Sequence, residues 1–377
     1  MGIYVVSPYF PISTMFFRRS IARLFPDQPK RILLIRFGNL CEVLRGTPLL
    51  VALRMRFPHS EIAWLVEEQA VSLLQGHQAL DRILTIGSNW DRSWNEIQSL
   101  RGRLRKFQPE ITLDLSGSFS SAFAAWISGA KLRIGFAGGT SGRLRLLNNI
   151  RVLADERHEI DRYLQLLEPF GVHGCSVDFD LHEHEMDRIQ AKEILHQAGI
   201  GTNHHYGILD ANASPEMSYW PKEQFVELAK HFFEQWNLPS LVIWNHQNEQ
   251  TVAESIARKG GKGTFLSPPL TVHELASLIR LATILVGPDS VALGISSAVG
   301  TPCVGLFGAT QACEVGPYGQ FCRSIQAPSA SPSLEKIGTS FVCDECDTIL
   351  SELLEPASLS IKEYDRETPV WALTPAA

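Results

Sequence analysis

Short apolar runs alternate with amphipathic stretches along most of this chain. The runs are rich in branched residues, as in buried parallel strands, and the stretches between them carry apolar residues at helical spacing. The predicted strands are 31–37, 61–66, 82–86, 111–115, 206–209, 241–244 and 303–307. The predicted helices are 42–56, 69–76, 94–107, 182–199, 222–236 and 271–281. This alternation predicts an α/β fold with doubly wound parallel sheets.

The pattern changes at three places and suggests four segments. We predict an N-terminal arm over 1–30, a first domain over 31–185, a second domain over 200–325 and a C-terminal tail over 326–377. The 377 residues are enough to build two full cores. Ser and Pro predict a loop at the start of the tail, whose remainder could pack back onto the body.

The composition is that of a soluble globular protein, with 45% hydrophobic and 20% charged residues. A formal charge of −6 provides no overall basic field, so no nucleic-acid partner is expected. No run approaches the roughly 20 apolar residues that span a bilayer, and no secretory signal is evident. The seven cysteines suit a reducing compartment, so we expect a cytoplasmic protein.

Residues 9–25 combine aromatic side chains with Arg18, Arg19 and Arg23 and contain no acidic residue. As a helix, this segment could lie peripherally on the inner face of the membrane. The alternative is an arm packed on its own domain, which the pattern favours because an apolar stripe at helical spacing is usually core.

The most informative stretch is 285–319, in which an apolar strand leads into Asp289 and Ser290 at the start of a helix. Helix-start amides attract anions, and ligands collect outside the carboxyl ends of parallel strands, so a phosphate could bind here. The alternative is that Asp289 is only a helix cap and that 300–302 is only a turn.

This stretch resembles the C-terminal motif of the glycosyltransferase family that includes the ADP-heptose:lipopolysaccharide heptosyltransferases. Val291 and Gly294 stand where that family has Gly and His. The matching positions are Asp289, Ser290, Gly300, Pro302, Gly308, Thr310 and 316–319.

The beginning of the first domain resembles the opening of the same family at Arg36, Thr47 and Pro48. Glu42 stands where the family has an Asp that is the proposed general base. A Glu carboxylate is the same chemical group on a stem one methylene longer, so Glu42 is the catalytic candidate. The alternative is an ordinary acidic residue favoured by the helix dipole.

The resemblance also extends to residues 114–136 and to the loop after the first strand of the second domain. It implies an acceptor site that includes Ser120, where the family has Lys, and Arg133, which matches the family. Serine cannot supply the positive charge of that Lys. The implied donor site is formed by Ser214, Ser218 (again in place of Lys), Glu249, Asp289, Ser290, Val291 and Gly294. For Glu249 the alternative is a solvated acid at the start of a helix.

The resemblance implies two Rossmann-like domains that face each other across a cleft, the GT-B type. It implies an inverting glycosyltransferase of lipopolysaccharide biosynthesis that moves a heptose-like sugar from a nucleotide-sugar, ADP-linked by resemblance, to a lipopolysaccharide-core-like or other glycan or glycolipid acceptor. Losing both lysines suggests a less anionic acceptor or a different donor. The alternative is a catalytically inactive relative that acts as a binding or scaffold protein.

No cofactor is expected, and metal-independent chemistry is predicted because no paired-Asp motif occurs. A zinc site formed by Cys313, Cys322, Cys343 and Cys346 is conceivable, but free cysteines are often small buried hydrophobes.

Overall fold

The computed structural model describes residues 4–6, 28–137, 147–154, 156, 158–201, 205–211, 219–245 and 247–354. The chain divides into two compact units, Met1–His184 with Cys313–Val315 and Glu185–Ala312 with Gly316–Ala377. Each unit contains one parallel sheet. The predicted arm segment 9–25 and the candidates Ser214 and Ser218 lie outside the described residues.

Over the described residues, the sheet of the first unit has seven strands in the order β1-β7-β6-β5-β2-β3-β4, and all pairs are parallel. The strands are β1 Tyr4–Val6, β2 Arg31–Ile35, β3 Glu61–Glu67, β4 Arg82–Ile86, β5 Ile111–Asp114, β6 Leu132–Phe136 and β7 Ile150–Val152. Its helices are α1 Leu40–Arg56, α2 Val71–Leu74, α3 Trp94–Phe107, α4 Phe119–Ser128 and α5 Glu159–Gln165.

Helix α1 continues through Pro48, which has no N–H to donate to the carbonyl of Leu44. The hydroxyl of Thr47 donates to that carbonyl instead, at 2.9 Å. All three residues are buried. The hydrogen bond from the Thr47 hydroxyl therefore satisfies the carbonyl of Leu44, which is buried away from water.

In the part of the second unit that the structure describes, six strands lie in the order β10-β9-β8-β11-β12-β13, again all parallel. They are β8 Gly207–Asp210, β9 Ser240–Ile243, β10 Thr264–Leu266, β11 Ile284–Pro288, β12 Cys303–Phe307 and β13 Cys322–Gln326. Its helices in the described residues are α6 Glu185–Gln197, α7 Lys222–Trp236, α8 Gln247–Gly260, α9 Val272–Leu281, α10 Val291–Val299 and α12 Thr339–Leu353. The short helix α11 Ala312–Val315 follows β12, and its residues Cys313–Val315 belong to the first unit.

Helix α12, in the segment named above as the tail, belongs to the core of the second unit. Its residues Val342, Cys346 and Leu350 are fully buried in the same cluster as residues of β8, β9 and β11. The carboxylate of Asp347 accepts hydrogen bonds from Trp236 Nε1 at 2.6 Å and His231 Nε2 at 2.8 Å on α7. The sequence pattern did not predict α12 or β13.

The cysteines considered for zinc are not gathered in one place. Cys343 and Cys346 are buried on α12, Cys313 is exposed, and Cys322 lies opposite Cys303 in the β12–β13 pair. Within the described ranges, no group of three or more His, Cys, Asp or Glu side chains could hold a metal ion. No helix in the described part of the chain is long and apolar enough to cross a membrane.

In each sheet, successive strands are added on one side of a central strand, β2 or β8, and the chain then crosses to the other side of that strand. In the first unit, β3 and β4 lie on one side of β2 and β5 lies on the other. In the second unit, β9 and β10 lie on one side of β8 and β11 lies on the other. These two parallel, doubly wound sheets confirm the predicted fold class. Such topological switch points are where open α/β sheets bind ligands.

Candidate functional site

Glu42 lies at the switch point of the first unit, in the first turn of α1. Asn39 caps this helix, accepting from the N–H of Glu42 at 3.0 Å, and Glu42 Oε2 accepts from the N–H of Asn39 at 2.9 Å. Glu42 Oε1 lies 3.2 Å from Arg36 Nη2. The Glu42 side chain is still 30% exposed. The carboxylate is therefore fixed by two neighbours and open to solvent.

Arg36, which follows β2, is held by a buried network that reaches across to α5. Its Nη2 lies 3.2 Å from Glu159 Oε1, and Arg45 Nε lies 2.5 Å from Glu159 Oε2. The Tyr163 hydroxyl also donates to Glu159. Burial opposes ionisation of Glu159, but Arg45, the Tyr163 hydroxyl and Arg36 outweigh burial and lower its pKa. The ionised Glu159 thereby positions the guanidinium that contacts Glu42.

The loop after β5 lies beside the loop after β2. The hydroxyl of Ser116 accepts from the N–H of Phe37 at 2.8 Å. Ser120, in the first turn of α4, donates to the carboxylate of Asp91. The residue in the position of the family lysine is thus paired with an acid, so this edge of the first unit carries no cation at position 120.

Asp114 ends β5 and is fully buried. It accepts from the N–H of Gly117 at 3.1 Å and from Asn148 Nδ2 at 2.9 Å. Burial raises the pKa of Asp114, and its hydrogen bonds with Ser121, Asn148 and the backbone only partly offset this. Its role is to fix the loop that leads to Ser120.

Arg133 is not brought together with Glu42 and Ser120. It is the second residue of β6, and its guanidinium donates to the carbonyls of Leu147 at 2.6 Å and Ala130 at 2.7 Å. Ala130 precedes β6 and Leu147 precedes β7, so both carbonyls lie at the edge of the sheet where the strands begin. Its contacts are those of a residue that ties loops together.

In the second unit, Ser290 and Asp210 meet at the switch point. Ser290 caps α10 by accepting from the N–H of Leu293 at 3.1 Å, and its hydroxyl donates to Asp210 Oδ2 at 2.5 Å. Asp210 ends β8 and is fully buried. A β-carbon on the neighbouring Gly287 would lie 2.5 Å from the β-carbon of Asp210, so glycine is required there.

The other donor candidates in the described ranges lie at the same carboxyl edge. Asp289 and Ser290 connect β11 to α10, whose first residues include the half-buried Val291 and Gly294. Glu249 follows β9 in the first turn of α8. It is only 4% exposed and accepts from the N–H of Asn245 at 3.1 Å. The interpretation of Glu249 as a solvated acid is therefore wrong, because the carboxylate is buried and ties the loop after β9.

Sequence reasoning missed two residues that organise these sites, Asp210 and Glu159. Asp210 had a local signal, since a charged residue ends the otherwise apolar run 206–210. Glu159 had none, because its ion-pair partner Arg36 is 123 positions away.

The comparisons of sequence with known proteins indicate one family. The sequence profile described as glycosyltransferase family 9 (heptosyltransferase) matches residues 97–338, more than half of the chain. Lipopolysaccharide heptosyltransferase 1 of Salmonella typhimurium is 22% identical over 300 residues, which cover 77% of this chain and 92% of that protein.

Two solved structures share the fold. The glycosyl transferase family 9 protein from Veillonella parvula has a TM-score of 0.78 at 20% identity, covering 86% of this chain and 98% of the other. E. coli heptosyltransferase WaaC with ADP-2-deoxy-2-fluoro heptose has a TM-score of 0.68 at 18% identity, covering 84% and 99%.

Proposed function

Because this chain belongs to glycosyltransferase family 9 and is therefore a glycosyltransferase, we propose that it transfers a heptose-like sugar from an ADP-linked donor to a lipopolysaccharide-core-like acceptor. The donor assignment is supported by the related enzyme solved with an ADP-heptose analogue. The acceptor assignment is supported by the lipopolysaccharide heptosyltransferases that are similar over most of their length. Membrane contact through residues 9–25 stays a prediction.

The observation that carries this proposal is the Ser290–Asp210 pair at the switch point of the second unit. Ser290 satisfies one N–H of α10 and leaves other first-turn amides available to an anion. The donor's diphosphate would bind there, with Asp289, Val291 and Gly294 around it, and Glu249 on the side of β9. Ser214 and Ser218, outside the described residues, stay predicted members of this donor site.

The proposed general base is Glu42. It takes the proton from an acceptor hydroxyl as the hydroxyl oxygen attacks the anomeric carbon of the sugar. The bond between that carbon and the diphosphate oxygen breaks with inversion, and the electron pair leaves with ADP. The positive end of α10 stabilises the charge that develops on the leaving diphosphate. Arg36 holds the Glu42 carboxylate in place before the reaction.

The acceptor we propose is less anionic than one recognised by a lysine at position 120. Ser120 is paired with Asp91, so a phosphate near this position would meet a carboxylate. A charge-assisted phosphate contact contributes on the order of 1.5 to 3 kcal/mol, which this edge does not supply from position 120. An acceptor sugar that carries hydroxyls rather than phosphate fits better.

A second candidate is a binding protein without catalysis. It is favoured by the two oxygens of Glu42, which already contact Arg36 and the N–H of Asn39. A carboxylate used only as a helix cap would have these contacts.

One experiment separates the two candidates. The purified full-length protein is titrated calorimetrically with ADP, UDP, GDP and ADP-heptose, and transfer is assayed on lipopolysaccharide-core acceptors with and without phosphate. We expect ADP-selective binding that Asp289→Ala weakens. Glu42→Gln should lower turnover by roughly 10² to 10⁴-fold and leave ADP affinity unchanged.

The matched control is Glu96→Gln, because Glu96 occupies the same first-turn position of α3, behind the capping Ser93, and is exposed. It should change neither binding nor turnover. Nucleotide binding with no transfer to any acceptor would favour the binding protein, and no nucleotide binding at millimolar concentration would contradict the donor site itself.

A further inference from the structure

A row of aromatic rings lies along the outer face of α4. Phe119, Phe123 and Trp126 are four and three residues apart, which places them on one face of the helix. Their ring centroids are 6.1 and 6.0 Å apart, and the buried Trp90 stacks on Phe123 at 5.8 Å. Phe119 is 51% exposed and Trp126 is 52% exposed. This row is anchored at Trp90 but faces solvent at both ends.

The helix that carries these rings, α4, is capped at both ends and contains no charged residue. Ser118 and Ser121 form a capping box at its start, and Gly129 ends it in the left-handed conformation. Trp94, which begins the neighbouring α3, is 71% exposed. Large exposed aromatic side chains that lie together, rather than singly, mark candidate interaction sites.

Cations adjoin the aromatic row. Helix α3 carries Arg101 and Arg105, both exposed and four residues apart on one face, and its single acid is Glu96, in a chain whose net charge is −6. The guanidinium of Arg105 lies at the end of α4, since a β-carbon at Gly129 would be 3.1 Å from its Nε. Positive charge therefore borders the rings, one turn beyond Trp126.

We infer that this α3–α4 face, defined by Trp94, Arg101, Arg105, Phe119, Phe123 and Trp126, docks on an anionic lipid bilayer. Half-exposed aromatic rings suit the headgroup level of a membrane, and neighbouring arginines attract its negative surface. The acid at the Phe119 end of the face, Asp91, is hydrogen-bonded to Ser120. The other end carries Arg101 and Arg105, and this cationic end complements a lipid surface that is uniformly anionic. This surface is separate from residues 9–25, and the inference goes beyond the proposed transfer reaction.

The test is cosedimentation of the full-length protein with vesicles of phosphatidylcholine alone and of equal parts phosphatidylcholine and phosphatidylglycerol. We expect binding to the anionic vesicles that weakens as salt increases. Arg101→Glu with Arg105→Glu should lower the partition coefficient by roughly twentyfold or more, because each cation near such a surface contributes about fivefold. Phe119→Ser with Trp126→Ser should lower it at least about tenfold.

The controls change matched positions in the other unit. Phe341→Ser replaces a ring on α12 that is 53% exposed, and Arg258→Glu with Lys259→Glu reverses two exposed cations on α8. These variants should bind vesicles like the unaltered protein, and circular dichroism should show that all variants are folded.

Absence of binding to anionic vesicles, or equal loss in the test and control variants, would overturn the inference. So would light scattering that finds a dimer which becomes monomeric in Phe119→Ser with Trp126→Ser, because a second copy would then cover this face. Neither outcome would bear on the donor site, which the nucleotide titration measures separately.

Discussion

The carboxylate of Glu42 lies directly against Gly38, so that a β-carbon at position 38 would be 1.7 Å from Glu42 Oε2. Gly38 has a φ of +123°, a backbone conformation that residues with a β-carbon rarely adopt. Its carbonyl also accepts from Gln69 Nε2 at 3.1 Å. The glycine therefore leaves the space that the proposed base occupies.

Substitution of Gly38 should impair turnover without affecting nucleotide binding. In Gly38→Ala the new methyl group must displace the Glu42 side chain, and misplacement by about an ångström can cost roughly 100-fold in rate. Steady-state kinetics with ADP titration checks this. Gly102→Ala is the control, since a β-carbon there meets nothing within 4 Å. Unchanged turnover in Gly38→Ala would show that the placement of Glu42 does not matter for transfer.

Removal of the Ser290 hydroxyl should weaken nucleotide binding and local stability together. Ser290→Ala loses the cap of α10, worth about 1 kcal/mol, and leaves the buried Asp210 without the donor at 2.5 Å. We expect ADP affinity to fall about fivefold to tenfold in calorimetry. Ser290→Thr keeps a hydroxyl and should retain most of the affinity; equal losses in both variants would argue against the hydrogen bond as the cause.

The Glu159 network should make the first unit sensitive to acid. The pKa of Glu159 is lowered in the folded protein, so its ionisation stabilises the fold at any pH above the ordinary pKa of a glutamate. This stabilisation disappears as the pH falls through the lowered pKa. Glu159→Gln should cost about 3 to 5 kcal/mol at neutral pH, because Arg36 and Arg45 lose a buried counter-charge. Urea unfolding at several pH values would reveal this, and the variant should show a flatter acid limb than the original protein.

Asp114 should have the opposite pH dependence. Burial raises its pKa, so the folded state binds a proton more tightly than the unfolded state, and stability falls as pH rises from the ordinary range of a carboxyl towards the raised value. Asp114→Asn carries no ionisable group and should lack that decline. The difference between the two unfolding curves against pH is the measurement, and parallel curves would contradict the assignment.

The sequence predicted those elements whose ends are set locally. Strand 82–86, helices 94–107 and 222–236 and strand 303–307 have the predicted bounds. Their limits coincide with capping or turn residues, such as Ser93 before α3 and Asn237 in the left-handed conformation after α7. Such capping and turn residues can be identified in a single sequence.

The sequence did not predict elements whose stability comes from distant partners. Strand β7 has three residues and exists by pairing with β6 on one side and β1, near residue 5, on the other. In the sites, the helix start at Ser290 was predicted, whereas its buried partner Asp210 and the Arg36–Glu159 pair were not. These contacts depend on strand order, which a local pattern does not encode.

The packing of α12 has a consequence for synthesis on the ribosome. Trp220 Nε1 donates to the carbonyl of Ile337, which is 117 residues further along the chain. His231 on α7 and Asp347 on α12 form a hydrogen bond across 116 residues. At ordinary translation rates, on the order of ten seconds pass between emergence of β8 and emergence of α12. During that time the apolar residues of α7 and the second sheet that pack on α12 are exposed to water. A premature stop before residue 339 would therefore yield a chain that retains each proposed donor residue yet cannot close the core that supports them.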